Sequence, residues 1–215
     1  MVLYLDPYHL GDPLFLTGLA RDLAARGQQT RGAGVVVVHG SGERGERALE
    51  GRGRLPTSRD GVWDAEDAEG AEAVERATRD FGREVVHAIN EAGVAVVRMT
   101  AGDRGLVRRE DGRLEVGQHG WLADLVAQGV TVVVTTLLAD ETEADAAETA
   151  GRLAAALDVP VLALSTRAGT PEQAVEGLPD RDAVRRALKT GAEVRLGARQ
   201  AVRSGDTVTH AVTDV

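Results

Sequence analysis

Three glycines, Gly40, Gly42 and Gly45, form a G-x-G-x-x-G pattern directly after the apolar run Val35 to Val38. Glycines at such a place let backbone N–H groups approach an oxyanion at a helix N-terminus, so the chemistry on offer is the cradling of a phosphate or carboxylate. The same glycines would also serve a plain tight strand-to-helix turn. A dinucleotide site further needs a second strand ending in Asp or Glu about 20 residues on, and the stretch from Arg54 to Trp63 does not read as a strand. His39-Gly40-Ser41-Gly42 is not the G-x-S-x-G elbow of a hydrolase nucleophile. The histidines His9, His39, His87, His119 and His210 have no metal-ligand spacing, so no metal site is expected. There is no cysteine, which excludes disulfides, thiolate zinc and thiol catalysis. Lys189 is the only lysine, so a mechanism that needs two is ruled out.

The elements that would position this loop alternate between two periodicities. Val2 to Leu5 reads as a first strand. Asp12-Pro13 reads as an N-cap followed by proline at the first helical position, with Leu16, Leu19, Ala20 and Leu23 at helical spacing and Gly27 as the C-cap. Val35 to Val38 is a strand buried on both faces, and a helix begins near Glu43. Residues 50–64 are rich in Gly, Arg, Pro and Asp and read as loop. Val74, Ala77, Phe81, Val85 and Ile89 then mark one face of a long helix that Gly93 ends. Val94 to Met99 is a strand, Asp111-Gly112 a hairpin turn, and Trp121 to Gln128 a short helix. Val130 to Leu138 is a strand, Glu141 to Leu157 a helix with Ala147, Ala150, Ala154 and Leu157 inward, and Val159 to Leu164 a strand. Asp180 to Lys189 is a helix, and Glu193 to Leu196 and Thr207 to Val212 are closing strands. This order predicts an α/β fold of three layers, α/β/α, around a mostly parallel sheet. Ligands of such sheets sit at the carboxyl ends of strands, here the loops after Val38, Met99, Leu138 and Leu164.

Bulk properties narrow the partners. At 215 residues and 43% apolar the chain is long enough for one sizeable core, and with aromatics at 3% that core is Val, Leu and Ala. A net charge of −9 argues against nucleic acid and anionic membranes as partners. No apolar run approaches a membrane span, and Met1 to Arg21 has no basic region ahead of an apolar stretch, so a cytoplasmic protein is expected.

The order of these pieces resembles the amino-acid-kinase family, N-acetylglutamate kinase in particular. Val35-Val36-Val37-Val38-His39-Gly40-Ser41-Gly42 is similar to the family's V-V-H-G-G-G loop, and Arg59-Asp60-Gly61-Val62-Trp63 to its D-G-L-R segment. Thr100-Ala101-Gly102-Asp103-Arg104-Gly105-Leu106 resembles S-G-K-D-G-G-L. Glu141-Thr142-Glu143-Ala144-Asp145 stands in the place of N-I-N-A-D before an Ala-rich helix, and Ser165-Thr166-Arg167-Ala168-Gly169 resembles T-D-V-P-G. The resemblance runs from Val2 to Thr170 and fades beyond, where the chain is also shorter than the family's nucleotide lobe.

The resemblance implies one amino-acid-kinase-like domain over 1–215, with a substrate and dimerisation lobe at 1–130 and a reduced nucleotide lobe at 131–215. It implies His39, Gly40, Ser41, Gly42 and Gly169 on the phosphate side, Asp60, Gly61, Trp63 and Glu143 on the substrate side, and Asp145 and Arg181 as catalytic residues, with ATP and Mg²⁺ as cofactors. It also implies a homodimer built on the long helix and its neighbouring strand. Several charges the family uses are missing. Tyr4 falls where the first-strand lysine would be, Asp6-Pro7 replaces a glycine pair, Trp63 stands for a substrate-binding arginine, Glu143 for an asparagine and Gly102 for a lysine. Phosphoryl transfer relies on cations and N–H groups to neutralise charge. The expected protein is therefore a catalytically impaired relative that binds a small carboxylate or phosphorylated ligand in a remodelled site. The alternatives are an active ATP-dependent kinase of an N-acylated amino acid and a non-catalytic subunit of an active homologue.

Overall fold

The computed structural model describes all residues except 11, 30–32, 60, 168–169, 205–209 and 213–215. In chain order the elements are β1 (Val2–Tyr4), α1 (Pro7–Leu10), α2 (Pro13–Gln29), β2 (Val36–His39), α3 (Glu43–Glu50), β3 (Thr57–Arg59), β4 (Val62–Asp64), α4 (Ala68–Glu91), β5 (Val96–Thr100), β6 (Val107–Glu110), β7 (Arg113–Val116), α5 (Gly120–Ala127), β8 (Thr131–Thr135), α6 (Ala146–Leu157), β9 (Val161–Leu164), α7 (Pro171–Glu176), α8 (Arg181–Leu188), β10 (Val194–Gly197), α9 (Ala201–Ser204) and β11 (His210–Val212).

Seven strands form one sheet in the order β11-β10-β9-β1-β2-β8-β5. All neighbours are parallel except β10 and β11. Strand β8 lies between β2 and β5, so the first 130 residues and the rest share a single sheet. The β1 to β2 connection moves one way across the sheet, and β8 to β9 returns to the other side of β1. The order therefore reverses between β1 and β9, and the carboxyl ends around that point are where an open α/β sheet presents its ligand crevice.

Strand alternation sorts the core into two layers. Val2, Tyr4, Val36, Val38, Val132 and Val134 face α6, α8 and α5. Leu3, Leu5, Val35, Val37 and Val133 face α2 and α4, where they meet Leu19, Phe81 and Ile89. Each such Val, Leu or Phe contributes roughly 1.5–3 kcal/mol by leaving water. The apolar stripe of α4 is spent inside this core.

Three expectations need correction. Residues 50–64 are not all loop: β3 and β4 pair antiparallel as a short hairpin, Thr57 with Asp64 through Arg59 with Val62, turning at Gly61 with φ 76°. The β3 side chains are polar and exposed, and only Val62 and Trp63 of β4 are half-buried, so no apolar alternation marks it. Gly27 does not end α2, which continues to Gln29. The helix expected from Glu141 starts at Ala146, because Glu141 is left-handed (φ 65°) and the Ala144 N–H is held by the Thr136 carbonyl. Asp145 is its N-cap, with Oδ1 accepting from the Glu148 N–H at 2.7 Å. No helix among the described residues is long and apolar enough to cross a membrane.

Candidate functional site

Two hairpins and one loop enclose a cavity of about 550 Å³ on the α6 side of the sheet. The β3–β4 hairpin contributes Arg59 and Trp63, the β6–β7 hairpin Arg109 and Leu114, and the segment from β8 into α6 contributes Asp140, Glu143, Asp145 and Glu148. The loop after Leu138, one of four singled out by strand order, thus supplies an entire wall.

Behind this wall stands the glycine loop, and both donors of its Ser41 are already occupied. Glu143 reaches across and takes both Ser41 donors: Oε1 accepts from the Ser41 N–H, and Oε2 accepts from Ser41 Oγ at 2.9 Å. The contact is possible only because the loop lacks side-chain bulk. A Cβ on Gly40 would lie 2.7 Å from Glu143 Oε1, and one on Gly45 would lie 2.5 Å from Ser41 Oγ and 2.6 Å from Trp63 Cδ1. Gly42 is at φ 55°, ψ −145°, a conformation that glycine alone adopts freely. Its carbonyl accepts from Trp63 Nε1 at 2.9 Å, which pins the indole over the loop. Burial pushes the Glu143 carboxyl up to about 7, although both Ser41 bonds act the other way. The pairing survives either protonation state, since a protonated Glu143 would donate to Ser41 Oγ and still accept from the N–H.

His39 belongs to the opposite layer. Its Nδ1–H donates to the Gly40 carbonyl at 3.0 Å, its Nε2 accepts from Thr135 Oγ1 at 3.2 Å, and its ring sits edge-on to Phe81 at 5.1 Å. Fully buried, it is held down to about 4, so the imidazole is neutral. Strand alternation explains the placement, because His39 follows Val35 and Val37 on the α4 face.

Around the end of β1 the charges are mostly negative. Asp145 pairs with Arg186 of α8, which also reaches Asp180 at 3.6 Å. Burial raises the Asp145 carboxyl against the pull of the Glu148 N–H and Arg186. Asp6 is pushed up to about 6, chiefly by burial. The Tyr4 phenol is raised well above its usual value by burial and then by Asp6, Asp180 and Asp145. Gly61 lies over the ion pair, with a Cβ there meeting Arg186 Nη2 at 3.1 Å.

The structure thus brings Gly40, Ser41, Gly42, Gly61, Trp63, Glu143 and Asp145 together. His39 is turned away, and Arg181 is exposed at the first position of α8. Asp60 and Gly169 lie outside the described residues. Arg186, which sequence reasoning missed, is the guanidinium that reaches Asp145. Helical side chains lean toward the N-terminus, so an arginine well inside α8 reaches back to the helix start.

No protein-family model matches the sequence, and no curated protein sequence matches it. Solved structures match it in shape. N-acetylglutamate synthase from Neisseria gonorrhoeae, complexed with coenzyme A and N-acetyl-glutamate, aligns over 93% of this chain and 54% of its own, with a TM-score of 0.67 and 18% identity. The chain therefore spans about half the length of that enzyme. An isopentenyl phosphate kinase aligns over 97% of both chains (TM-score 0.61, 14% identity). UMP kinase from Ureaplasma parvum covers 98% of this chain and 97% of its own (TM-score 0.58, 13% identity). The fold is the amino-acid-kinase fold.

Proposed function

We propose that the chain is a ligand-binding protein of the amino-acid-kinase fold in which phosphoryl transfer is lost and the cavity beside Trp63 and Glu143 takes a small carboxylate-bearing ligand. The observation that carries this reading is the Glu143 carboxyl group on the Ser41 donors. An incoming phosphate would have to displace it, and would meet Asp6, Asp145 and Asp180 with Arg186 as the cation already paired to two of them. A transferring phosphoryl group needs donors and cations aimed at its oxygens, and losing one such donor commonly costs roughly a hundred- to a thousandfold in rate.

The test is incubation of the purified chain with ATP–Mg²⁺ and a panel of amino acids and N-acyl amino acids, with ADP and acyl phosphate measured, beside a thermal-shift titration of the same compounds. Expected is a shift from a carboxylate-bearing compound with none from ATP–Mg²⁺ at millimolar concentration. Acid-dependent ADP formation would overturn the reading in favour of an active carboxylate kinase that uses Arg186 as its cation. We further propose a homodimer. The α4 stripe is used within the chain's own core, so its support is now the β5 edge, where Val97 is 37% exposed. A monomer by light scattering at micromolar concentration would count against it.

A further inference from the structure

Glu143 sits in the glycine loop as a ligand would. Its carboxyl takes the Ser41 N–H and the Ser41 hydroxyl, in a gap that exists because Gly40 and Gly45 have no side chains. A third donor faces the same gap. Thr136 is 0% exposed, and its Oγ1 has no hydrogen-bond partner among the described residues. That hydroxyl lies 3.4 Å from where a Gly40 Cβ would be, and Glu143 Oε1 lies 2.7 Å from the same point. A buried hydroxyl without a partner is costly. A carboxylate offers about four lone-pair positions, yet Glu143, tethered to its own backbone, leaves this donor unserved. An untethered carboxylate can settle among all of them.

The surroundings allow such an exchange. The backbone around Glu143 is clamped by its bridge to Leu137 and by the Ala144 N–H on the Thr136 carbonyl, so release needs only rotation of the side chain. Glu143 also lines the Trp63 cavity, which makes that cavity the way in. The cavity does not repel a single negative charge: Asp145 is paired with Arg186 and Glu148 with Arg152, and in the remaining lining Arg59 and Arg109 balance Asp64 and Asp140. A tetrahedral dianion fits less well. Ala146 Cβ closes the gap 3.7 Å from the Gly40 Cβ position, and the Asp145 charge already opposes ionisation of the Glu143 carboxyl.

We propose that Glu143 is an exchangeable internal ligand, and that the loop is a site for the carboxylate of a small monoanionic ligand, which replaces Glu143 on Ser41 and gains a bond from Thr136. The inference rests on the ligand-binding reading above and deepens it by naming where the carboxylate lands. A group held within the same chain competes at an effective concentration on the order of millimolar or more, so Glu143 sets a threshold that a weakly bound acid does not cross.

The experiment is chemical rescue. Glu143→Ala empties the site, and its melting temperature is followed in sodium propionate, sodium phosphate and sodium chloride at matched ionic strength, beside the wild type. Propionate should raise the melting temperature of the variant, the wild type should need at least about tenfold more propionate for the same rise, and phosphate and chloride should do less. Adding Ser41→Ala to the variant should abolish the propionate effect, and adding Thr136→Val should raise the propionate requirement about tenfold. If Glu143→Ala is unfolded in buffer alone, propionate should restore the folded fraction on refolding from urea; a chain that stays unfolded overturns the proposal. A wild type shifted as readily as the variant, a rescue indifferent to both Ser41 and Thr136, or a larger effect of phosphate would also overturn it. Failed rescue leaves the loss of phosphoryl transfer standing, whereas that reading fails on a separate readout, acid-dependent ADP formation with ATP–Mg²⁺.

Discussion

Glu143→Gln separates the charge of Glu143 from its shape. The amide keeps an oxygen for the Ser41 N–H and offers an N–H to Ser41 Oγ, so the glycine loop retains both partners and only ionisation is removed. Burial holds the Glu143 carboxyl up to about 7 against an ordinary 4.5, a gap worth roughly 3 kcal/mol once the pH exceeds both values. The folded protein keeps a proton that the unfolded chain releases above pH 4.5. Wild-type stability therefore falls through this group as pH rises from about 4.5 to about 7. The substitution cancels that fall. The variant should match the wild type to within about 1 kcal/mol near pH 5 and exceed it by up to about 3 kcal/mol at pH 8. Asp6, pushed up to about 6, acts in the same direction as Glu143, while His9 and His39, held down to about 4, act oppositely between pH 4 and 6.5. All three are common to both proteins and drop out of the difference. Urea unfolding at pH 5, 6, 7 and 8 measures it. A difference that stays flat within about 0.5 kcal/mol across that range, or a variant less stable at pH 8, would refute the reasoning. Either would mean that the Ser41 donors outweigh burial and hold Glu143 ionised throughout.

Three further outcomes are expected. Arg186→Met leaves the buried Asp145 without its cation and should cost about 3 kcal/mol in chemical denaturation, with Asp145→Asn in the same chain recovering most of it; additive losses would show that the two do not act as a pair. Gly45→Ala places a methyl group against Ser41 and Trp63 and should cost about 1–3 kcal/mol, with a change in indole fluorescence, whereas a silent substitution would show that the loop has room to spare. Asp22 is buried between α2 and the chain around α9, paired with Arg199 at 3.3 Å and Arg203 at 2.9 Å. Asp22→Ala should lower stability by about 3–5 kcal/mol, and a loss below about 1 kcal/mol would mean that α9 is held without this ion pair, by the burial of Ala201 and Val202 and the Arg26 bond to the Val202 carbonyl.

The sheet was legible because its strands are short runs of Val and Leu separated by helical periodicity, and their burial on both faces leaves little ambiguity. The N-cap role of Asp145 was not, because the helix was expected from Glu141 and its start at Ala146 depends on the left-handed Glu141 and the Thr136 carbonyl. The β3–β4 hairpin was not legible: Thr57, Ser58 and Arg59 bury nothing, and what holds the neighbouring Trp63 is a bond to a carbonyl 21 residues earlier in the chain. The orientation of His39 could have been read from strand parity, since it continues the Val35 and Val37 face. Arg186 could not. Arg181, Arg185 and Arg186 share one helix, and only the packing of α8 on α6 decides which of them meets Asp145. The occupation of the loop by Glu143 required a contact across 102 residues, which no local pattern encodes.

The glycines of the loop carry a lesson about motif scans. Gly40 and Gly45 exclude side chains from a small volume, and Gly42 permits the backbone turn beside it. A carboxyl group delivered by the chain itself makes the same demands on that volume as an external oxyanion would. A pattern search therefore recognises the shape of a receptacle and is silent about whether it is vacant or filled from within. In this molecule the residue that decides the matter lies about a hundred positions downstream of the motif.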